Sequence, residues 1–84
     1  MATKTEHETR FAERVRKVRQ HRGMSCQRLA DVSGFTRAAL SKIECGERRV
    51  SLGEAIQLAE ALGVSLEAMC SPDPLVVHLE AVVE

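Results

Sequence analysis

The fold is decided by residues 25–46, SCQRLADVSGFTRAALSKIECG, which hold two short apolar patterns at helical spacing. Ser25 and Thr36 each precede one of these patterns, and a hydroxyl at that position accepts a hydrogen bond from the first free backbone N–H groups of a helix. Gly34 lies between the patterns, where a glycine adopts the positive φ of a tight turn without steric cost. The stretch therefore predicts two short helices joined by a tight turn.

The same stretch meets the steric demands of a helix-turn-helix motif. Ala30 supplies the small side chain needed where the two helices cross, and Gly34 follows four residues later. Leu40, six residues further on, is placed to bury an aliphatic side chain against the first of the two helices. The spacing predicts a motif over 26–45 with a recognition helix over 36–45.

Helical patterns continue on both sides of the motif. Apolar spacing predicts a first helix over 6–21 or 9–21. The capping box Ser51-x-x-Glu54 opens a fourth helix, and a fifth is predicted over 66–70, before two prolines. The residues predicted to face inward from the fourth helix are Leu52, Ala55, Ile56, Ala59 and Leu62. The chain is thus predicted to be an all-α, five-helix domain.

The domain is predicted over 9–70, between a flexible N-terminus at 1–8 and a C-terminal tail at 71–84. Apolar residues alternate from Leu75 onward, as in a strand, whereas Asp73-Pro74 is also typical of a helix start. Both structures stay open, and the strand is favoured by the β-branched content. Because an apolar tail needs to be buried, the tail is predicted to mediate dimerisation.

Charge is separated along the chain although the net charge is zero. Residues 10–49 hold eleven basic and four acidic residues, a local excess of seven positive charges. From Val50 onward there are six acidic residues and no Lys or Arg. A basic half and an acidic half are able to orient a neutral protein on a polyanion, so the pattern allows a nucleic-acid partner.

Other function classes receive no support from the sequence. No apolar run is long enough to span a membrane or to form a signal peptide, so a cytoplasmic location is expected. Cys26, Cys45 and Cys70 form no C-x-x-C pair, and the histidines lack metal-ligand spacing. No nucleophile, acid and base are grouped as in an active site. We therefore expect no catalysis, metal, cofactor or small-molecule substrate.

The chain resembles the Cro and phage-repressor family, also called the xenobiotic-response-element-like family, from Phe11 to Met69. The resemblance is carried by Arg19, Gly23, Ser25, Leu29-Ala30, Gly34-Phe35-Thr36, Leu40-Ser41, Ile43-Glu44, Gly46 and the run 58–64, LAEALGV. It implies a lambda-repressor-like fold that binds DNA. Cys26 replaces the family Gln that usually contacts a phosphate, and Val50 replaces a family Pro.

The resemblance also implies roles for single residues. The recognition helix would lie in the major groove, where Arg37 reads guanine through two hydrogen bonds. Base contacts are expected from Arg37, Ala38, Ser41 and Lys42. Contacts with the DNA backbone are expected from Gln27, Arg28, Thr36, Arg48, Arg49 and Arg14. Arg19 and Glu44 resemble the ion pair that joins helix 1 to the recognition helix.

These features predict a transcriptional regulator of the repressor or restriction-modification controller type. As a homodimer it would bind a palindromic double-stranded DNA operator, with half-sites about 10 base pairs apart. The alternative is an antitoxin-like or other protein-binding module that uses the apolar tail to hold a partner.

Overall fold

The computed structural model describes residues 5–75, and within that range it is all-α, as the sequence predicts. Its five helices are α1 (Glu6–His21), α2 (Cys26–Ser33), α3 (Arg37–Glu44), α4 (Leu52–Leu62) and α5 (Leu66–Cys70). Helix α1 takes the earlier of its two predicted starts, so residues 6–8 belong to a helix and not to an N-terminal segment.

Each helix begins where a hydroxyl replaces the missing intrahelical acceptor. In all five cases the residue before the helix has extended backbone and its side chain accepts from the N–H three residues on. The five N-cap residues are Thr5, Ser25, Thr36, Ser51 and Ser65. These caps are local signals, which explains why the helix starts follow the sequence closely.

A single hydrophobic core joins the five helices. Helix α1 packs against α3, α4 and α5, and α2 packs against α3 and α4. The core consists of Phe11, Val15, Val18, Leu29, Ala30, Leu40, Ile43, Ala55, Leu58, Ala59, Leu62 and Met69. Since α3 buries only its inner side against this core, its outer side is available for another role.

The prediction for the inner face of α4 is wrong at two positions. Leu52 is 70% exposed and Ile56 is 40% exposed, whereas Leu58, which was not predicted, is fully buried. At 3.6 residues per turn, Leu52 and Ile56 lie roughly a quarter turn to one side of the buried stripe. The two side chains form an apolar surface on α4, which we call the α4 flank.

The turn between α2 and α3 depends on the backbone of Gly34. Gly34 has φ of 80°, and its N–H donates to the carbonyl of Ala30. A Cβ atom built at this glycine would meet nothing within 4 Å. The requirement for glycine is therefore conformational and not a matter of space, because other L-residues rarely adopt this φ.

Arg14 fixes the C-terminal end of α5 to α1. Its guanidinium donates to the carbonyls of Ala68 and Ser71, both at 2.7 Å, and of Asp73 at 2.6 Å. The last carbonyls of a helix lack intrahelical donors, so a cation placed there satisfies them and opposes the negative end of the helix dipole.

Replacing Arg14 with Met is expected to lower the free energy of unfolding by about 2 kcal/mol, because three charge-assisted hydrogen bonds are lost while the aliphatic stem is kept. The measurement is urea unfolding, and the control is Arg16→Met, at an exposed position of the same helix. An equal loss of stability in both variants would contradict the anchoring role of Arg14.

Two predictions concern residues beyond the described range. Residues 76–84 of the tail lie outside it, so the strand or helix expected there does too. The same holds for most of the apolar stretch that the antitoxin-like alternative would use to hold a partner. Of that apolar stretch only Leu75 is described, and it packs partly buried against the core. Within 5–75, no helix is long and apolar enough to cross a membrane.

Candidate nucleic-acid interface

The outer face of α3 is the candidate interface. Arg37, Ala38, Ser41 and Lys42 are all exposed. Their spacing of i, i+1, i+4 and i+5 puts them on one side of the helix, opposite the buried residues Leu40 and Ile43. The helix with its two caps, Thr36 and Cys45, covers the range predicted for the recognition helix.

The two cations of this face, Arg37 and Lys42, have no partner within the described part of the chain. Neither Arg37 nor Lys42 makes a side-chain hydrogen bond or an ion pair with any part of the chain that the structure describes. Their donors therefore remain directed to solvent. A guanidinium in this state has a planar set of N–H donors that matches the O6 and N7 acceptors of guanine in a major groove.

A bidentate ion pair holds α3 against α1. Arg19 donates from Nε to Glu44 Oε2 at 2.8 Å and from Nη2 to Glu44 Oε1 at 3.1 Å. Its Nη1 donates to the carbonyl of Met24 at 2.9 Å, which also ties down the loop before α2. The side chains are only 13% and 8% exposed. The hydrogen bonds that Arg19 donates to Glu44 raise the pKa of Arg19 above its usual value.

Residues of α2 and of the α3 cap lie beside this face. Arg28 is exposed, and its backbone N–H donates to Ser25 Oγ. Gln27 is exposed as well, but its amide donates to Asp31 Oδ1 at 2.9 Å, one turn along the helix. Thr36 accepts from the N–H of Ala39 at 3.1 Å, so its hydroxyl serves first as the cap of α3.

The loop after α3 places two arginines against carboxylates. Arg48 donates to Glu54 through two nitrogens, at 2.8 and 3.3 Å, and Arg49 donates to Glu8 at 3.1 Å. Arg48 is the main cause that lowers the pKa of Glu54. The pKa of Glu8 is lowered first by the backbone N–H of Thr5 and then by Arg49.

The pairings of Arg48 with Glu54 and of Arg49 with Glu8 were not predicted from the sequence. Glu8 and Glu54 each stand at the third position of a helix, in the patterns Thr5-x-x-Glu8 and Ser51-x-x-Glu54, and each closes a capping box. That pattern was the available signal for where the two carboxylates lie. It gives no indication that an arginine of the α3–α4 loop would reach them.

Arg14 is placed differently from the other predicted contacts with the DNA backbone. Its guanidinium is occupied by the carbonyls around the end of α5, and Arg10 likewise donates to the carbonyl of Cys70 at 3.0 Å. These two basic residues of α1 thus contact the backbone at and just after the C-terminal end of α5. With its donors engaged in this way, Arg14 is not part of the interface proposed below.

The described residues contain no group of three or more His, Cys, Asp or Glu side chains that would hold a metal ion. Cys26 and Cys70 are half-buried free thiols, and Cys45 is exposed at the end of α3. That this protein uses no metal and no cofactor stays a prediction.

The family model described as "Helix-turn-helix" matches residues 15–69, a range that runs from the middle of α1 to α5. The SPbeta prophage-derived uncharacterized HTH-type transcriptional regulator YonR of Bacillus subtilis is 40% identical over 57 residues. That match covers 68% of this chain but 53% of the relative, so the chain spans about half of that relative's length.

Two controller proteins are also similar. The control protein C.SmaI of Serratia marcescens is 40% identical over 56 residues, which is 67% of this chain and 67% of that protein. The crystal structure of the restriction-modification controller protein C.AhdI from Aeromonas hydrophila superposes with a TM-score of 0.69 and 34% identity. The superposition covers 73% of this chain and 92% of that one.

Proposed function

Because this chain belongs to the helix-turn-helix family that its residues 15–69 match, we propose that it is a DNA-binding transcriptional regulator. Support comes from relatives that are named as a transcriptional regulator and as control proteins. The observation that carries the proposal is the outer face of α3, where Arg37 and Lys42 are exposed and have no partner among residues 5–75.

In the proposed complex, α3 enters the major groove and Arg37 reads a guanine edge. Lys42 contacts a second base or a phosphate, and Ser41 and Ala38 line the same face. Arg48, Arg49, Arg28 and Thr36 position the domain on the sugar-phosphate backbone, and Gln27 does so once it leaves Asp31. The protein acts in the cytoplasm and catalyses no reaction.

The test is an electrophoretic mobility shift with the DNA upstream of the protein's own gene, compared with a scrambled duplex of the same composition. We expect selective binding whose affinity falls steeply with salt, because phosphate contacts release counterions. Equal affinity for both duplexes would remove base reading from the proposal, and no binding to either would remove DNA as the ligand.

We propose further that the regulator binds as a homodimer through the α4 flank. One domain of this size offers little base contact, and two-fold pairing doubles it on a palindromic site with half-sites about 10 base pairs apart. Leu52 and Ile56 form an exposed apolar surface on the helix that follows the arginine loop. Burying this surface against a second copy removes it from water. A contribution from residues 76–84 stays a prediction.

The double variant Leu52→Glu, Ile56→Glu is expected to sediment as a folded monomer, because it places four like charges in a two-fold interface without touching the core. Val32→Glu is the control, since Val32 is also exposed but lies on α2. Analytical ultracentrifugation gives the mass, and circular dichroism checks the helices. A dimer retained by the double variant would locate the interface elsewhere, and a dimer lost in the control would show that the effect is general.

A further inference from the structure

Arg48 and Arg49, in the loop between α3 and α4, each bind a carboxylate that also accepts a hydrogen bond from a backbone N–H at the start of a helix. Glu8 Oε1 accepts from the N–H of Thr5 at 2.8 Å and from Arg49 at 3.1 Å. Glu54 accepts from the N–H of Ser51 at 3.0 Å and from Arg48 at 2.8 Å. The same two carboxylates therefore close the N-termini of α1 and α4 and hold the two cations of the loop.

We propose that Glu8 and Glu54 compete with DNA phosphates for Arg49 and Arg48, and so limit the part of DNA binding that does not depend on sequence. This inference rests on the proposed DNA-binding function. It concerns a different property of the interface, namely how strongly the loop binds any duplex.

The geometry allows the exchange of a carboxylate for a phosphate. The side chains of Arg49 and Glu8 are 46% and 33% exposed, and the Arg48 and Glu54 pair is partly exposed as well. Exposed pairs of this kind are weak, so a phosphate is able to displace the carboxylate.

The two arginine–carboxylate pairs should make the contact between the α3–α4 loop and DNA weaker and less dependent on salt. Counterion release depends on the net positive charge brought to the phosphates. An arginine that carries its own carboxylate brings almost no net charge, whereas Arg37 and Lys42 on the outer face of α3 bring their full charge. The outer face of α3 then contributes more of the free energy of DNA binding than the loop does.

The capping boxes make a selective experiment possible. Gln supports the third position of a capping box as Glu does, so Glu8→Gln and Glu54→Gln keep the helix starts while removing the charge. Thermal unfolding of each variant should stay near that of the unchanged protein. The matched control is Glu13→Gln, an exposed acid of α1 that has no ion pair with the described residues.

The measurement is affinity for a scrambled duplex and for the DNA upstream of the protein's own gene, over a series of salt concentrations. Glu8→Gln should tighten binding to both duplexes by about two- to five-fold, the strength of an exposed ion pair. The salt slope should steepen by up to about one unit. Glu54→Gln should do the same through Arg48.

A double-mutant cycle separates competition from a general charge effect. In an Arg49→Ala background, the gain from Glu8→Gln should disappear, whereas any small effect of Glu13→Gln should persist. Unchanged or weaker binding by Glu8→Gln would overturn the inference, and so would a gain that survives Arg49→Ala. If the unchanged protein binds DNA but Glu8→Gln has no effect, only this inference falls. If the unchanged protein binds neither duplex, the proposed function falls with it.

Discussion

Glu44→Ala is expected to lower the free energy of unfolding by about 3 kcal/mol, because it leaves Arg19 without its partner in a partly buried, bidentate ion pair. Both side chains of the pair are nearly out of solvent, and Arg19 would keep only its hydrogen bond to the carbonyl of Met24. A domain this small has a total stability of roughly 5 kcal/mol. The variant should therefore unfold at a much lower urea concentration.

The double variant Arg19→Met, Glu44→Leu tests the reason for that loss. It removes the charges together and fills the space with apolar side chains, so it should be clearly more stable than Glu44→Ala. Glu47→Ala, at an exposed position just beyond α3, should change the unfolding midpoint little. If Glu44→Ala lowered the unfolding midpoint as little as Glu47→Ala, the ion pair would not contribute to stability.

Much of the fold could be predicted because its signals are local. Thr36 and Ser51 begin helices at the predicted places, since an N-cap needs only its own hydroxyl and the N–H groups three residues on. The turn at Gly34 is similarly local, because the φ of one residue decides it. The five-helix order therefore follows from the sequence without knowledge of the packing.

Which side chains face the core could not be predicted in the same way. On α4 the apolar residues cover more than one face, so periodicity alone does not show that Leu58 is buried and Leu52 exposed. Which side of α4 is buried is decided by its packing against α1, α2 and α5, so it depends on the whole fold.

The partners of the arginines are the least predictable part of the site. Arg14 meets a carbonyl 54 residues away, and Arg49 meets a carboxylate 41 residues away. In the sequence these residues and Arg37 all look like cations of one basic block. Only the fold separates Arg37, which has no partner among residues 5–75, from arginines that the protein itself binds.

Arg37→Ala is expected to weaken binding to the DNA upstream of the protein's own gene by about five- to 150-fold, the range given by one bidentate arginine–guanine contact. The loss should be much smaller on a scrambled duplex, where no guanine is held in register with the side chain. Arg37 is exposed on α3 and contributes no contact to the core, so the variant should stay folded.

Arg37→Lys separates base reading from charge. It keeps the positive charge, but an ammonium cannot present the two parallel donors of a guanidinium. We therefore expect selectivity between the two duplexes to fall while the salt slope stays that of the unchanged protein. Arg49→Ala should give the converse result, with weaker binding to both duplexes by the same factor. Selective binding that survives both Arg37 variants would show that α3 does not read the operator through this residue.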